Sequence, residues 1–297
     1  MTLAERFNKL RFDITVRSIL KTTVVVPGKT PFIALSMVQH RDVLSYLLAL
    51  KSFARYLSPQ RVVVVADPTL NAADRATLRA HVPHIEFREA AEFHQNGIPK
   101  GGTWERLTAI AEYSAHQYVV QLDADTVSTA DLPEVRAAIL SGKSFALGTD
   151  DIQPIEDADI AAQRAKEKST TENHIQLLAE SCLDRLASHG TYRYARACSG
   201  FSGFAPGTFD VAQLRRISLR MGELLGDRWA AWGTEQFTSN LLVCSSTGGH
   251  LLPHPRYCNP WRMTQSSIFL HLIGYTRFQT GLYARLASRV TLELQGL

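Results

Sequence analysis

The strongest constraint on the fold is a regular alternation of apolar, strand-like runs with helical segments, which begins at Pro31. The run "RVVVVADP", residues 61–68, is apolar and β-branched and ends at a proline turn, so it predicts a strand buried on both faces. Similar runs occur at 31–38, 84–89 and 118–122, and helical patterns stand between them. Such alternation predicts an α/β fold with a mainly parallel sheet flanked by helices.

Acidic residues stand where two of these predicted strands end. Asp67 closes the second strand, and Asp123 and Asp125 directly follow "YVVQL". Ligands of parallel α/β sheets bind at the carboxyl ends of the strands, so these side chains are candidate ligand contacts. For Asp67, a plain turn before Pro68 is an alternative role. The pair Asp123 and Asp125 is either a metal clamp or an acidic loop.

The same tripeptide, Asp-Ala-Asp, occurs again at 157–159 and so provides an internal comparison. This second copy precedes "IAAQRAKEK", an alanine-rich and charged pattern that predicts a helix. A carboxylate in the first turn of a helix stabilises it by about 0.3 to 1 kcal/mol. The position after a buried strand therefore favours Asp123 and Asp125 as the metal-binding copy.

Composition limits the class of protein without fixing its partner. With 297 residues, of which 45% are hydrophobic, the chain can bury a large core. A net charge of +4 does not predict nucleic-acid binding, although a mildly basic surface suits phosphate-bearing ligands or an anionic membrane. Four separated cysteines predict structural thiols, and the sequence shows neither a secretory signal nor a transmembrane span. We therefore expect a cytoplasmic protein.

The pattern divides the chain into an N-terminal arm, 1–30, and one domain, 31–297. The arm has six basic and two acidic residues, with apolar residues near helical spacing. It fits either an arm packed on the domain or a helix in peripheral contact with the inner face of a membrane. Within the domain we predict two halves, 31–150 and 191–297, joined by a polar helical insertion at 151–190. The insertion is either a surface addition or a mobile lid.

The stretch around the first acidic pair also carries a family resemblance. It contains Arg106-Leu107 on a predicted helix, then a strand, then Leu-Asp-Ala-Asp-Thr at 122–126, and Asp131-Leu132 in a short continuation. In this order the pieces resemble nucleotide-sugar-dependent glycosyltransferases of the GT-A fold. They are most similar to the retaining family that includes bacterial lipooligosaccharide galactosyltransferases and glycogenin. The resemblance implies a Rossmann-like GT-A domain in which 31–150 binds the nucleotide sugar and 191–297 binds the acceptor.

Three segments of the second half match the same family in the same order. "CSGFSGFAPGTFD" resembles an Asn-Ser-Gly-hydrophobe segment, with Cys198 in place of the asparagine. "WGTEQFTSNLL" resembles a segment in which an acidic residue followed by glutamine begins a helix over the acceptor cleft. "FLHLIGYTRF" resembles a His-x-x-Gly-x-x-Lys element, in which His271 and Gly274 match and Arg277 replaces the lysine.

The resemblance implies a metal site for Mn²⁺ or Mg²⁺ at the nucleotide-sugar donor. It assigns Asp123 and Asp125 to the ion, with Ala124 between them at the donor and His271 as the third protein ligand. An ion there would neutralise the diphosphate leaving group, and hard cations of this kind prefer carboxylate oxygens. A neutral imidazole suits Mn²⁺. From the residues alone, a core histidine of an apolar strand is the favoured interpretation of His271 in "SIFLHLIG", and the nearby match of Gly274 and Arg277 reverses it.

Further residues are predicted to contact the donor. By resemblance, Arg106, Gly274 and Arg277 contact the diphosphate or the sugar of the donor. Gly274 lets the backbone approach the diphosphate, and Arg277 offers the diphosphate two parallel hydrogen-bond donors. Arg106 is alternatively a solvated helix arginine. The residue pattern adds Asp67 for the base or ribose, and Lys100 in the glycine-rich loop "IPKGGTW" for a phosphate.

Glu235 and Gln236 are the candidates for the chemical step. Glu235 could take the proton of the acceptor hydroxyl as a general base, or either side chain could stabilise positive charge on the sugar ring. The alternative is a purely structural helix start, with Thr234 as the cap and Glu235 in the first turn.

The implied function is transfer of a hexose from a nucleoside diphosphate sugar to a hydroxyl of a saccharide, lipid-linked or protein acceptor. Retention at the anomeric carbon is implied by the family resemblance only. A sugar nucleotidyltransferase is a weaker alternative, because no basic glycine-rich loop follows "PFIALSMV". A non-catalytic protein that binds sugar nucleotides or carbohydrates is another alternative, because binding and catalysis need many of the same residues.

Overall fold

A computed structural model describes residues 1–149, 154–168, 174–187, 191–274 and 276–296. Three parts of the predicted insertion 151–190 lie outside the described residues. The stretch "SFALGTDD", residues 144–151, also predicts a strand from its sequence, and its last two residues lie outside the described residues, as does Tyr275 of "FLHLIGYTRF".

The described residues form eleven α-helices and twelve strands. The helices are α1 Leu3–Val16, α2 Val43–Ala54, α3 Ala72–His81, α4 Trp104–Tyr113, α5 Pro133–Ser141, α6 Ala158–Glu167, α7 Ile175–Glu180, α8 Leu183–Ala187, α9 Val211–Leu225, α10 Thr234–Ser245 and α11 Leu282–Leu294. The strands are β1 Phe32–Val38, β2 Arg61–Ala66, β3 Ile85–Glu89, β4 Tyr118–Leu122, β5 Thr126–Ser128, β6 Phe145–Gly148, β7 Glu156–Asp157, β8 Arg193–Tyr194, β9 Ala197–Phe204, β10 His250–Leu251, β11 Tyr257–Cys258 and β12 Phe269–His271.

Contacts within the chain define two compact units. Unit 1 comprises Met1–Glu89, Leu122–Arg136 and Pro255–Leu297, and unit 2 comprises Ala90–Gln121 and Ala137–His254. Seven strands build the central sheet. Unit 1 supplies three of them, in the order β1, β2, β3, and unit 2 supplies the others, in the order β10, β6, β9, β4.

Unit 1 confirms the predicted parallel strands. β2 pairs in parallel with β1 and with β3, and its four consecutive valines, Val62 to Val65, are completely buried. Continuous burial explains why this strand is apolar at every position and does not alternate. Unit 1 also contains a small sheet with the order β11, β12, β5, which the sequence analysis did not predict because its strands are only two or three residues long.

Unit 2 holds the antiparallel pairing of the central sheet. β6 pairs in parallel with β10 and antiparallel to β9. A Cβ atom at Gly203 in β9 would lie 2.3 Å from Cε1 of Phe145 and 2.5 Å from the hydroxyl of Tyr118. Only glycine fits at this crossing of aromatic rings.

In the sequence, Asp42, Thr103 and Thr234 each stand where a polar side chain would cap a predicted helix, but none of the three side chains forms the cap. Asp42 precedes α2 and Thr103 precedes α4, but neither side chain accepts a hydrogen bond from the first turn. Thr234 lies inside α10, whose cap position is occupied by Gly233. The side chains of Asp42 and Thr103 instead bind charged groups of the two clusters described below.

A buried lysine ties the N-terminal segment of unit 1 to α2. The ammonium group of Lys51 donates to the carbonyl oxygens of Thr22 and Thr23, at 3.3 and 2.7 Å, and to the hydroxyl of Thr22 at 2.7 Å. It also lies 3.0 Å from Nδ1 of His81. Burial lowers the pKa of Lys51 from 10.5 to about 8.

This pKa predicts that the stability of the protein rises in mild alkali. Between pH 8 and 10.5 the unfolded chain keeps the proton on Lys51 that the folded chain has lost, so folding is favoured as the pH rises. We expect the free energy of unfolding to increase from pH 7.5 to 10 relative to a Lys51→Met variant. Urea denaturation of both proteins at a series of pH values measures the difference. A difference that stays constant over this range would contradict the prediction.

None of the described helices is both long and apolar enough to cross a membrane.

Candidate metal and donor site

A tight turn in unit 1 carries the predicted acidic pair. Leu122 is the last residue of β4 and Thr126 is the first of β5, so three residues join the strands. The backbone N–H and the hydroxyl of Thr126 both donate to the carbonyl oxygen of Asp123, at 3.3 and 2.8 Å, and close the turn. Asp125 is buried, whereas the side chain of Asp123 is 27% exposed. One carboxylate is therefore enclosed while the other reaches the surface.

The third predicted ligand comes from a strand far along the chain. β12 runs antiparallel to β5, with His271 opposite Thr126, and the N–H of Leu272 donates to the carbonyl oxygen of Asp125 at 2.8 Å. Nε2 of His271 therefore lies 3.0 Å from Oδ1 of Asp125 and 3.9 Å from Oδ2 of Asp123. The ligand atoms of these three residues all lie within 4.8 Å of one another.

Arg277 binds the same buried carboxylate from another direction. Its Nη2 donates to Oδ2 of Asp125 at 2.5 Å, and its Nη1 donates to Oδ1 of Asp42 at 3.4 Å. Its Nε donates to the carbonyl oxygen of Leu272 at 3.4 Å. These three acceptors hold the guanidinium group of Arg277 in one orientation. Sequence reasoning missed Asp42 as a member of this cluster, because its place before a helix is typical of a cap.

The surroundings of Asp125 keep it ionised. Burial alone would raise the pKa of this carboxyl, but His271 and Arg277, both in hydrogen-bonding contact with it, hold the pKa well below its usual range. Ala124, between the two carboxylates, is buried, and its carbonyl oxygen accepts a hydrogen bond from Tyr283 at 3.4 Å. Asp125 is thus a fixed negative charge at neutral pH.

The residues present fit a divalent cation. Two carboxylates and an imidazole supply oxygen and nitrogen atoms, a set that suits Mn²⁺, and the carboxylates also suit Mg²⁺. His271 and Arg277 contact different oxygens of Asp125, so Arg277 can keep Oδ2 while Oδ1 remains on the side of His271. The hydrogen bond between His271 and Asp125 joins two atoms of metal-ligand type. A bound ion would therefore take the place of the proton that they share.

The second Asp-Ala-Asp copy lies in a different setting. Asp157 precedes α6 and Asp159 lies in its first turn, as predicted. Within the described residues, the group of three ligand-type side chains that the structure assembles contains Asp123, Asp125 and His271, and neither Asp157 nor Asp159 belongs to it. The two identical tripeptides are therefore distinguished by their surroundings.

A second polar cluster, in unit 2, is built around Glu235. Its carboxylate Oε2 lies 3.1 Å from Nη2 of Arg106, and the two side chains are only 2% and 5% exposed. The hydroxyls of Thr103 and Ser199 donate to the same oxygen at 3.0 and 3.3 Å. Glu235 and Arg106 thus form a buried ion pair with additional hydrogen bonds. The sequence analysis named both residues separately and did not pair them.

Gln236, the next residue, has a different environment. Its side chain is partly exposed, and its Oε1 accepts a hydrogen bond from the backbone N–H of Ser199 at 3.3 Å. Gln121 donates from its side chain to the carbonyl oxygen of Ser199. Ser199 therefore holds both Glu235 and Gln236. The resemblance pointed to this serine only through the segment "CSGFSG".

The loop before α4 is conformationally strained. Thr103 has φ +73° and is the only non-glycine residue with positive φ in the described part of the chain. Gly101 and Gly102 before it also have positive φ, so three successive residues adopt a left-handed conformation that threonine tolerates poorly. This conformation directs the hydroxyl of Thr103 to Glu235. Lys100, the predicted phosphate contact, is exposed at the start of the loop.

Two other predicted donor contacts lie in unit 1. Oδ1 of Asp67 accepts hydrogen bonds from the N–H and the hydroxyl of Thr69, at 2.9 and 2.6 Å. This local turn motif engages one carboxylate oxygen. Gly274 is exposed, and a Cβ added to it would meet nothing within 4 Å. Open space therefore adjoins the backbone where the resemblance implies that a diphosphate approaches.

Comparison with solved structures identifies the fold. The chain is similar to galactosyltransferase LgtC in complex with donor and acceptor sugar analogues, with a TM-score of 0.50 and 16% sequence identity over 89% of this chain and 99% of that one. The chain has the GT-A fold. The predicted fold class, a mainly parallel sheet flanked by helices, is thus confirmed. The predicted division into domains is a separate matter and stays a prediction.

Other similar GT-A structures are more distant. Mouse xyloside xylosyltransferase 1 has a TM-score of 0.48 and 11% identity over 83% of this chain and 99% of that chain. Core-mannan synthase A from Aspergillus fumigatus, in a form with Mn and GDP, has a TM-score of 0.46 and 10% identity over 92% and 88% of the two chains. No protein-family model and no curated protein sequence matches this chain.

Proposed function

We propose that the protein is a metal-dependent glycosyltransferase that moves a hexose from a nucleoside diphosphate sugar to an acceptor hydroxyl. The observation that carries this proposal is the convergence of Asp123, Asp125 and His271 at a strand end within a GT-A fold. In a solvated loop, two neighbouring carboxylates and an imidazole would be ordinary surface groups. Here Asp125 and His271 are buried. Burying ionisable groups costs free energy, and groups buried in this way are common at functional sites.

A Mn²⁺ or Mg²⁺ ion held by these residues would neutralise the charge that develops on the diphosphate leaving group. Asp125 supplies a carboxylate that is already ionised and held in place. Asp123 has a side chain that is 27% exposed, so it can contact the ion or the ribose of the donor. His271 supplies its Nε2 from a strand rather than from a loop, which limits its movement.

We assign Arg277 to the support of Asp125. The resemblance implies a diphosphate contact at this position, but the guanidinium is engaged by Asp125, Asp42 and a backbone oxygen. By binding Oδ2, Arg277 orients the carboxylate and leaves Oδ1 beside His271. A planar fork performs this task better than the lysine of the family, which offers a point charge.

Three predicted donor contacts, Asp67, Lys100 and Gly274, keep their proposed roles. Asp67 has a second carboxylate oxygen for the base or ribose, Lys100 is exposed for a phosphate, and open space adjoins the backbone of Gly274 for the diphosphate. The ion pair of Arg106 with Glu235 favours a role in shaping the site over direct contact with the donor.

Between the two catalytic candidates we favour Gln236. A general base must reach the proton that it removes, and Glu235 is 2% exposed with Oε2 accepting hydrogen bonds from three side chains. Gln236 is partly exposed and carries an amide dipole that can stabilise positive charge on the sugar ring. Retention at the anomeric carbon follows from the family resemblance and is part of the proposal, as are action in the cytoplasm and a saccharide, lipid-linked or protein acceptor.

A panel of nucleotide sugars tests the proposal. We expect one of them to raise the melting temperature of the protein in the presence of Mn²⁺ and to release its nucleotide slowly by hydrolysis. EDTA should remove both effects. Nuclear magnetic resonance of the glycosidic linkage in a transfer product then reports whether the anomeric configuration is retained, because a free sugar loses its configuration by mutarotation.

Other outcomes of the panel identify the alternatives. Stabilisation without nucleotide release, across a set of acceptors, would favour a binding protein. Release of pyrophosphate from a nucleoside triphosphate and a sugar phosphate would favour a nucleotidyltransferase. If no nucleotide sugar stabilises the protein with Mn²⁺, the donor site is wrong.

A further inference from the structure

The first helix presents two apolar faces, of which only one is packed. Phe12 and Val16 are buried, and the ring of Phe12 stacks on Tyr283 with centroids 3.8 Å apart. Nδ2 of Asn8 donates to the carbonyl oxygen of Phe278 at 3.0 Å, and a capping box between Thr2 and Glu5 closes the N-terminal end. α1 is thus a formed helix that is fixed to the C-terminal part of unit 1.

The opposite face of α1 is apolar and exposed. Leu3, Phe7, Leu10 and Ile14 are 84%, 60%, 56% and 63% exposed. At 3.6 residues per turn, their spacing places them within an arc of about 60°, and Phe12 lies about 170° from the centre of that arc. We call these four residues the exposed stripe. Single exposed leucines are ordinary, but four aligned apolar side chains form a contiguous patch that marks an interaction surface.

Cationic side chains border the exposed stripe. Arg6, Arg11 and Arg17 are exposed, and the guanidinium of Arg11 lies 5.8 Å from the ring centre of Phe7. A Cβ atom at Gly281 would lie 3.4 Å from Nη1 of Arg11 and 3.3 Å from Nη1 of Arg285, so the two guanidinium groups converge there. Across the described chain, no carboxylate forms an ion pair with Arg11 or Arg285.

The acidic groups of the helix do not offset this charge. Glu5 points to the capping box and accepts from the backbone of Thr2, and Asp13 is paired with Lys9 at 2.5 Å. Converging arginines without counter-charges call for an anion, and they stand beside the apolar side chains. A surface of this composition matches the boundary of a bilayer, where phosphate groups lie beside acyl chains.

We propose that the exposed stripe of α1 inserts into the surface of a membrane that contains anionic lipids, with Arg11 and Arg285 binding lipid phosphates. A second copy of the chain fits less well, because a two-fold contact through the exposed stripe would bring the bordering arginines of both copies together. The proposal is independent of the proposed transferase activity. It rests on the side-chain arrangement of unit 1 alone.

Vesicle flotation with the full chain tests the proposal. We expect binding to phosphatidylcholine vesicles with about 30% phosphatidylglycerol, and weaker binding to phosphatidylcholine alone. The double change Phe7→Ser and Leu10→Ser should lower the fraction bound at least about tenfold, since both lost side chains would enter the acyl region. Arg11→Gln with Arg285→Gln should weaken binding to anionic vesicles only.

The matched control removes two exposed apolar side chains elsewhere. Leu140 and Ile160 are 71% and 54% exposed, so Leu140→Ser with Ile160→Ser also lowers the surface hydrophobicity by two side chains and should leave binding unchanged. Thermal melting of each variant checks that folding is intact. A Phe7→Trp variant should show a blue shift in fluorescence on binding, which reports insertion and not mere adsorption.

Three results would overturn the proposal. They are failure of the wild-type chain to float with anionic vesicles, equal binding by the Phe7 and Leu10 double variant, and a Phe7→Trp emission that does not shift. Sedimentation in the absence of lipid provides a separate check. A dimer that the same double change dissociates would assign the exposed stripe to self-association instead.

Discussion

Replacing Asp125 with asparagine will abolish the Mn²⁺-dependent stabilisation by nucleotide sugars. The change keeps the shape of the side chain but removes the enclosed negative charge that His271 and Arg277 share. Residues that only support a metal ligand contribute about 10 to 100-fold to metal affinity, so loss of a proposed ligand should cost more than about 100-fold. Isothermal titration of Mn²⁺ into the free protein measures this effect without any activity assay.

The same variant should also lose stability. Arg277 would keep Asp42 but lose its nearer carboxylate, and a buried ion pair that loses one partner costs about 3 to 5 kcal/mol. Arg277 is 20% exposed, so we expect a loss near the lower end, about 3 kcal/mol. Urea denaturation in EDTA measures it.

Asp159→Asn is the matched control for both effects. It alters the second Asp-Ala-Asp copy in the first turn of α6, where a carboxylate contributes about 0.3 to 1 kcal/mol to the helix. Mn²⁺ affinity should not change in this variant. Equal Mn²⁺ affinity in the Asp125 variant and the wild-type chain would rule out the metal site.

Two adjacent residues of α10 should separate stability from turnover. Glu235→Gln leaves Arg106 buried without its counter-charge, so we expect a loss of about 3 to 5 kcal/mol in the free energy of unfolding. Gln236→Ala removes a partly exposed side chain with weak partners and should change stability by less than about 1 kcal/mol. For turnover we expect a large effect of the Gln236 change. Gln236→Ala should lower kcat about 100-fold while donor binding persists.

Steady-state kinetics, donor-induced thermal shift and urea denaturation on the two variants provide the comparison. The assignment of Gln236 would be wrong if its alanine variant kept wild-type kcat. Arg106→Leu with Glu235→Leu tests the ion pair further: removing both charges should cost less than removing one. A double change that costs the sum of the single ones would show that the two side chains do not interact.

The central strands and the candidate ligands could be predicted because their signals are local. β2 is recognisable from four consecutive valines, and Asp123 and Asp125 follow a buried apolar run. The second copy at Asp157 and Asp159 was predicted correctly as a helix start, because its alanine-rich continuation has helical spacing. Each of these inferences depends on fewer than about a dozen neighbouring residues.

Pairings between distant residues could not be predicted in the same way. Arg277 meets Asp125 across 152 positions, and Arg106 meets Glu235 across 129. The register of β5 against β12 brings His271 to Asp125, but these three-residue strands are too short to show a period. Asp42 and Thr103 resembled helix caps because a single polar residue before a helix has the same appearance whether it caps the helix or binds a distant arginine or glutamate.

The pairing of the first helix with the last has a consequence for synthesis. Phe12 can stack on Tyr283 only after nearly the whole chain has been translated, and the same holds for His271 beside Asp125. Chains are made at about 5 to 20 residues per second, so α1 waits roughly 15 to 60 seconds with its inner face uncovered. During that interval the inner face of α1 is uncovered as well as the exposed stripe, so the nascent chain presents more apolar surface near its N-terminus than the folded protein does.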